Sequence, residues 1–233
     1  MPGLRALAAD DGADACCCWI ELLQTPPQTL VSNNVSLSLA AAVALAAHQQ
    51  PIKVSDKQQA AVLDFVGRRL EQLLMDAGVS AEAVRAVLAE RGDDPALAAA
   101  TALQLQQALD AGEAGPLKAV MTALARPTRI VRGSKPAAAA SASVAVDAAL
   151  FEHTEEGQLY AAYQAAAAQL QQAASVQQWL DAVHPLVAPI DAFFDKVFVM
   201  CEDERVRANR LALLRGVASL TQGFADLSQL PGF

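Results

Sequence analysis

SDKQQAAVLDFVGRRLEQLLMDAG, Ser55 to Gly78, is the stretch whose reading decides the fold. Ser55 with Gln58 three residues on is a capping-box signal for a helix start. Val62, Phe65, Val66, Arg69, Leu70, Leu73 and Leu74 then recur at steps of three and four, which places them on one face of a helix that Gly78 ends. Working outward, Ser80 can cap a short helix carrying Val84, Val87 and Leu88, with Gly92 as its stop. Asp94-Pro95, an N-cap followed by proline at the first helical position, opens a helix through Leu97, Leu105 and Leu109 to Gly112. Another begins at Pro116 and meets Pro127, while upstream an alanine-rich helix runs from Ser36 to about His48 and stops before Pro51. Short glycine-marked turns between such segments predict antiparallel helices packed in a bundle.

The remainder is organised around two weaker segments. Residues 1–35 show no clean period and contain the Pro26-Pro27 break, so little structure is expected there. GSKPAAAASASVAVD, Gly133 to Asp147, is small, proline-marked and poor in bulky apolar residues, as linkers are. Helices are expected beyond it over 147–173, 175–184, 186–200 and 202–221. The expectation is therefore an all-α helical bundle in two sub-arrays, 36–132 and 148–233, joined by the 133–147 linker. No period of 20–50 residues repeats, which argues against a solenoid.

Composition agrees and excludes several classes. Of 233 residues, 54% are apolar, largely alanine, which leans the chain to helix. A formal net charge of −8 excludes coating of nucleic acid through bulk electrostatics, so any RNA contact must be local. Cys16, Cys17, Cys18 and Cys201 offer neither a disulfide framework nor a CxxC spacing, and a reducing compartment is the simple reading. Val35 to Ala47, the longest apolar stretch, is shorter than the ~20 residues a membrane span needs. Asp10, Asp11 and Asp14 sit where a transit or signal peptide avoids acids; either the chain stays where it is made or the natural amino terminus lies upstream of Met1.

Neither a phosphate loop, a dinucleotide glycine motif nor a zinc helix occurs. The three histidines, His48, His153 and His184, form no ligand set, so no metal site and no catalytic group are expected. Cys201 reads as a small buried hydrophobe, and Asp203 with Glu204 as a solvated face.

Two constellations stand out. In LARPTRIVRGSK, Arg126, Arg129, Arg132 and Lys135 follow Lys118 with no acid between them, a positive patch suited to phosphate contact or, equally, a basic helix end favoured by the macrodipole. In DAFFDKVFVMCEDERVRANRLALL, Asp191 to Leu214, the residues Phe193, Phe194, Val197, Phe198, Met200 and Cys201 read as core-facing on a helix. Arg205, Arg207 and Arg210 then emerge on the next helix, where pairs Asp203–Arg207 and Glu202–Arg205 compete with any RNA contact.

The run from Pro189 to Leu214 fits the pattern PxxxFFDxVxVMxEDExxRxNRLALL nearly throughout and resembles the carboxy-terminal signature of the bacterial-type glycyl-tRNA synthetase β-subunit. That region is similar to the anticodon-binding helical domain of arginyl-tRNA synthetase. DFVGRRLEQLLMDAGVSAEAVRAVLA (Asp64 to Ala89) and ALFEHTEEGQLYAAY (Ala149 to Tyr163) extend the resemblance, which covers about residue 36 onward. RPTRIVRGSK departs from the bacterial Lys-Arg-Val-x-Asn-Ile pattern and, like the ending DLSQLPGF, looks like the plastid or cyanobacterial form. The resemblance implies a class II synthetase that activates glycine with ATP and Mg and transfers it to tRNA, with catalysis on an α portion absent from this chain. It implies no cofactor in this chain, glycine tRNA and the α portion as partners, no DNA or membrane, and a plastid stroma or bacterial cytoplasm. Under it, Arg205, Arg207 and Arg210 are expected at the RNA loop and Arg129, Arg132 and Lys135 at phosphates. Asn209 either reads a base or packs between helices. The rival reading is a non-catalytic protein-interaction module that docks through the alanine-rich faces at 36–47 and 161–168.

Overall fold

The computed structural model describes residues 27–112, 115–134, 146–171 and 175–233. Among these residues every regular element is helical, and the chain divides into two compact units at Ala100/Thr101.

In the first unit, α1 (Pro27–Ser32), α2 (Leu39–His48) and α4 (Ala81–Arg91) all pack on α3 (Asp56–Asp76). The capping box at the start of α3 forms as its spacing predicts. Ser55 Oγ accepts from the Gln58 N–H at 3.4 Å, and Gln58 Oε1 accepts from the Ser55 N–H at 2.9 Å. Val66, Leu70 and Leu74 are its buried stripe. It ends in a Schellman arrangement around Gly78 (φ +89°), with the Val79 N–H bonded to the Leu74 carbonyl at 3.1 Å. Residues 27–32 correct an expectation, since a helical turn forms where none is predicted. Pro27 pre-sets φ for that turn, and Asn34 takes the left-handed conformation (φ 51°) that closes it. Helix α2 begins at Leu39 rather than Ser36 because Ser38 caps it, accepting from the Ala41 N–H at 3.1 Å.

Asp94 accepts from the Leu97 N–H at 3.1 Å and opens α5 (Pro95–Asp110), within which the division between the units falls. The second unit continues with α6 (Pro116–Gly133), a 3-10 turn at Ala148–Leu150, α7 (Thr154–Leu170) and α8 (Val176–Val183). A 3-10 turn at His184–Leu186 leads into α9 (Val187–Lys196), followed by α10 (Glu204–Ser219) and a last 3-10 turn at Leu227–Gln229. Helix α6 packs on α8, α9 and α10, so residues 116–133 belong physically with the carboxy-terminal helices rather than with the array before them. Residues 135–145, most of the expected linker, lie outside the described residues, as does most of 1–35.

Two features of this unit differ from the periodic reading. Helix α6 runs through Pro127, because its stripe of Leu117, Val120, Met121, Leu124 and Pro127 is buried and outweighs the lost backbone donor. And α9 stops at Lys196: Val197 is extended (φ −107°, ψ 120°), and residues 197–203 leave the helix. Side chains then alternate, Val197 and Val199 inward, Phe198 and Met200 outward, so Phe198 and Met200 are not core residues. Cys201 is half-buried, its thiol donating to the Asp203 carbonyl at 3.5 Å. The core proper holds Phe193, Ile190, Leu159, Leu213 and Leu214, each worth about 1.5–3 kcal/mol on full burial. Trp179 stacks on Phe224 at 4.3 Å and donates its indole N–H to the Leu220 carbonyl at 2.9 Å, fastening the tail to α8.

Candidate nucleic-acid interface

Arg126, Arg129 and Arg132 are exposed and lie three residues apart on α6, each about 60° round the helix from the last. Because α6 continues through Pro127 to Gly133, all three cations stand on the helix itself. Arg129 donates to the main-chain oxygen of Phe233 at 2.6 Å, and Arg132 pairs with Asp226 at 3.4 Å. Partial burial opposes the charge on Asp226. Hydrogen bonds from Ser228 and Gln229, with the charge of Arg132, overcome that and hold its carboxyl below the ordinary range. Lys135 lies outside the described residues.

Helix α10 packs against α6, so both basic constellations fall in one unit. Asp203 is the N-cap of α10, accepting from the N–H groups of Arg205 at 2.8 Å and Val206 at 3.1 Å. The Val206 and Arg205 N–H bonds pull its carboxyl below the ordinary range. Arg205 is exposed. Arg207 donates to the Cys201 carbonyl at 2.8 Å and pairs with Glu204 at 3.4 Å, not with Asp203, whose carboxylate is occupied as the cap.

Burial corrects the reading of Arg210 and selects the packing role between the two readings of Asn209. Arg210 is 2% exposed and Asn209 3%, so neither side chain reaches an RNA loop in this structure. Asn209 accepts from the Asp147 N–H at 2.8 Å and donates to the Asp147 carbonyl at 2.9 Å, closing the chain onto α10 as a strand neighbour would. The Arg210 guanidinium bonds Glu156 Oε1 at 2.8 Å, Glu152 Oε2 at 2.7 Å and the Phe198 carbonyl at 3.1 Å. Glu156 is fully buried (0%) and also accepts the N–H groups of Glu152 at 2.8 Å and His153 at 2.9 Å. Burial disfavours its charge, but Arg210 and the two N–H donors prevail, so the Glu156 carboxyl lies below the ordinary range and the Arg210 guanidinium above its own. Sequence reasoning missed Glu156, for its partner is remote in the chain. The one local signal is its place as third helical residue after His153.

Among the described residues no helix is long and apolar enough to cross a membrane, and no three His, Cys, Asp or Glu side chains are grouped as metal ligands. What the second unit does present is exposed arginines on helices packed against one another.

Residues 120–227 match the DALR anticodon binding domain, and the second unit is a domain of that class. Over 206 residues the chain is 44% identical to glycine-tRNA ligase, chloroplastic/mitochondrial 2, of Arabidopsis thaliana, covering 88% of this chain and 19% of that protein. It is 35% identical over 205 residues to the glycine-tRNA ligase beta subunit of Ectopseudomonas mendocina (86% and 29% covered), and 36% identical over 173 residues to that of Syntrophotalea carbinolica (72% and 24%). The chain belongs to the glycine-tRNA ligase β-subunit family and spans less than a third of the length of these relatives.

Proposed function

We propose that this chain is the tRNA-binding, carboxy-terminal portion of a glycine-tRNA ligase, holding the anticodon arm of glycine tRNA while ATP- and Mg-dependent glycylation proceeds on a catalytic α portion outside it. The match to an anticodon-binding domain carries the reading, and the exposed Arg129 and Arg132 of α6 with Arg205 and Arg207 of α10 support it. Loop bases of RNA are read unstacked, by stacking and edge hydrogen bonds, while arginines hold the phosphates. Glycine anticodons end in two cytosines, whose amino groups need acceptors, and Glu202 and Glu204 supply exposed carboxylates beside the arginines. A plastid stroma is the setting we propose, in keeping with the 44% identity to a chloroplastic/mitochondrial ligase.

The test is equilibrium binding of the full chain to glycine tRNA and to the same tRNA with both cytosines replaced. Loss of affinity by about tenfold or more, the ~1.4 kcal/mol of one lost base contact, is expected. Equal affinity for both removes the anticodon-reading claim, and no binding of either removes the tRNA-binding one.

A further inference from the structure

We propose that the cleft between α6, α9 and the non-helical segment 197–200 receives one unstacked nucleobase of a bound RNA loop, stacked on Phe198. This rests on the tRNA-binding reading above and names a site for it. The cleft measures about 340 Å³, opens to solvent, and is lined by Arg126, Ile130, Phe194, Lys196, Phe198 and Met200.

Four observations point to a base rather than to a protein side chain. First, Phe198 is 74% exposed and Met200 55%, a large desolvation debt for two side chains of one short segment, and a flat aromatic ring is the shape that covers a phenyl face. Second, the segment that carries them is held at both ends. The Val197 N–H bonds the Phe193 carbonyl at 2.8 Å, Arg210 fixes the Phe198 carbonyl at 3.1 Å and Arg207 fixes that of Cys201 at 2.8 Å. A platform so fixed loses little conformational entropy on binding. Third, the Arg126 guanidinium lies 4.1 Å over the Phe194 ring, which gives the cleft a flat cationic wall that stacks on bases as readily as on phenyl. Fourth, Arg126 and Lys196 outweigh Asp195 and leave the cleft lining net positive in a chain of net charge −8, and lysine is depleted from apolar protein interfaces. Asp195, on the same wall, offers a carboxylate to a base's amino group. Arg129 continues the line of cations along α6 for the adjoining phosphates.

The experiment compares the full chain with Phe198→Ala and Phe198→Trp, using glycine tRNA that carries 2-aminopurine in its anticodon loop. Phe198 is solvent-facing, so its truncation leaves the core untouched, and a melt of each variant checks this. The expected result is a ten- to hundredfold loss of affinity and loss of 2-aminopurine quenching for Phe198→Ala, with both restored by Phe198→Trp. Phe198→Ala binding tRNA as the parent chain does, with quenching intact, overturns the cleft assignment and leaves the tRNA-binding reading standing. No tRNA binding by the parent chain fails that reading first and the cleft with it. Unchanged tRNA binding but loss of retention by the rest of the synthetase makes the cleft a protein-docking surface, which also overturns the proposal.

Discussion

Arg210 is the residue on which most of the second unit's polar interior converges. It links the start of α7, through Glu152 and Glu156, to the main chain at Phe198. Arg210→Met is expected to cost about 3–5 kcal/mol, since it strands a buried carboxylate. Pairing it with Glu156→Gln is expected to recover part of the loss, measured by urea denaturation. The pH dependence has a definite sign. A carboxyl depressed in the folded chain contributes stability above its unfolded value, roughly 4.3, and loses it as pH falls through the folded value. The melting temperature should therefore fall as the pH is lowered from about 5 toward 3, and Glu156→Gln should be less stable at pH 7 yet flatter across that window. A steeper acid limb in the variant would contradict the assignment. At Asp226 the expectation runs toward binding. Asp226→Asn keeps the oxygen that accepts from Ser228 and removes the charge that competes with phosphate for Arg132, so tRNA affinity should rise severalfold at low salt and converge with the parent at high salt.

At the scale of the elements, some helices are decided locally and others by packing. Helix α3 is local: its capping box, stripe and glycine stop are all legible, and Ser55→Ala should lower stability by about 1 kcal/mol in a denaturant titration. Helix α6 is not, because Pro127 looks like a stop to any reading of neighbours and is overruled by the buried face on either side of it. The segment after α9 misleads for a different reason. Val-Phe-Val-Met, 197–200, fits a helical face and a two-residue alternation equally well, and which one wins depends on the Asp203 cap starting a fresh helix and on Arg210 gripping the Phe198 carbonyl. Phe224 gives a test of the tail. Phe224→Ala removes the stack on Trp179 and should cost about 3–5 kcal/mol while shifting the emission of that tryptophan to the red.

For the molecule as a whole, charge and position of charge are separate matters. With a net charge of −8, the tRNA binding proposed above has to rest on a few cations, so log affinity should fall with log salt at a slope of about 0.7 for each phosphate held, giving a total of roughly two to three. A slope of six or more would mean a broader basic face than α6 and α10 present. The helical class and the basic clusters were readable from spacing, but exposure was not. Arg205, Arg207, Asn209 and Arg210 sit within six positions, and only burial separates the outward Arg205 from Asn209 and Arg210. The Asn209-Arg210 pair is thus a record of how the domain holds itself together.

That internal grip sets a trap for mutagenesis. The carbonyl that Arg210 holds belongs to the residue whose ring faces solvent, so loosening the hidden guanidinium would let the outer platform wander. An alanine scan scored on tRNA retention alone would count Arg210 as a contact, and only a parallel melting curve would reveal it as scaffolding.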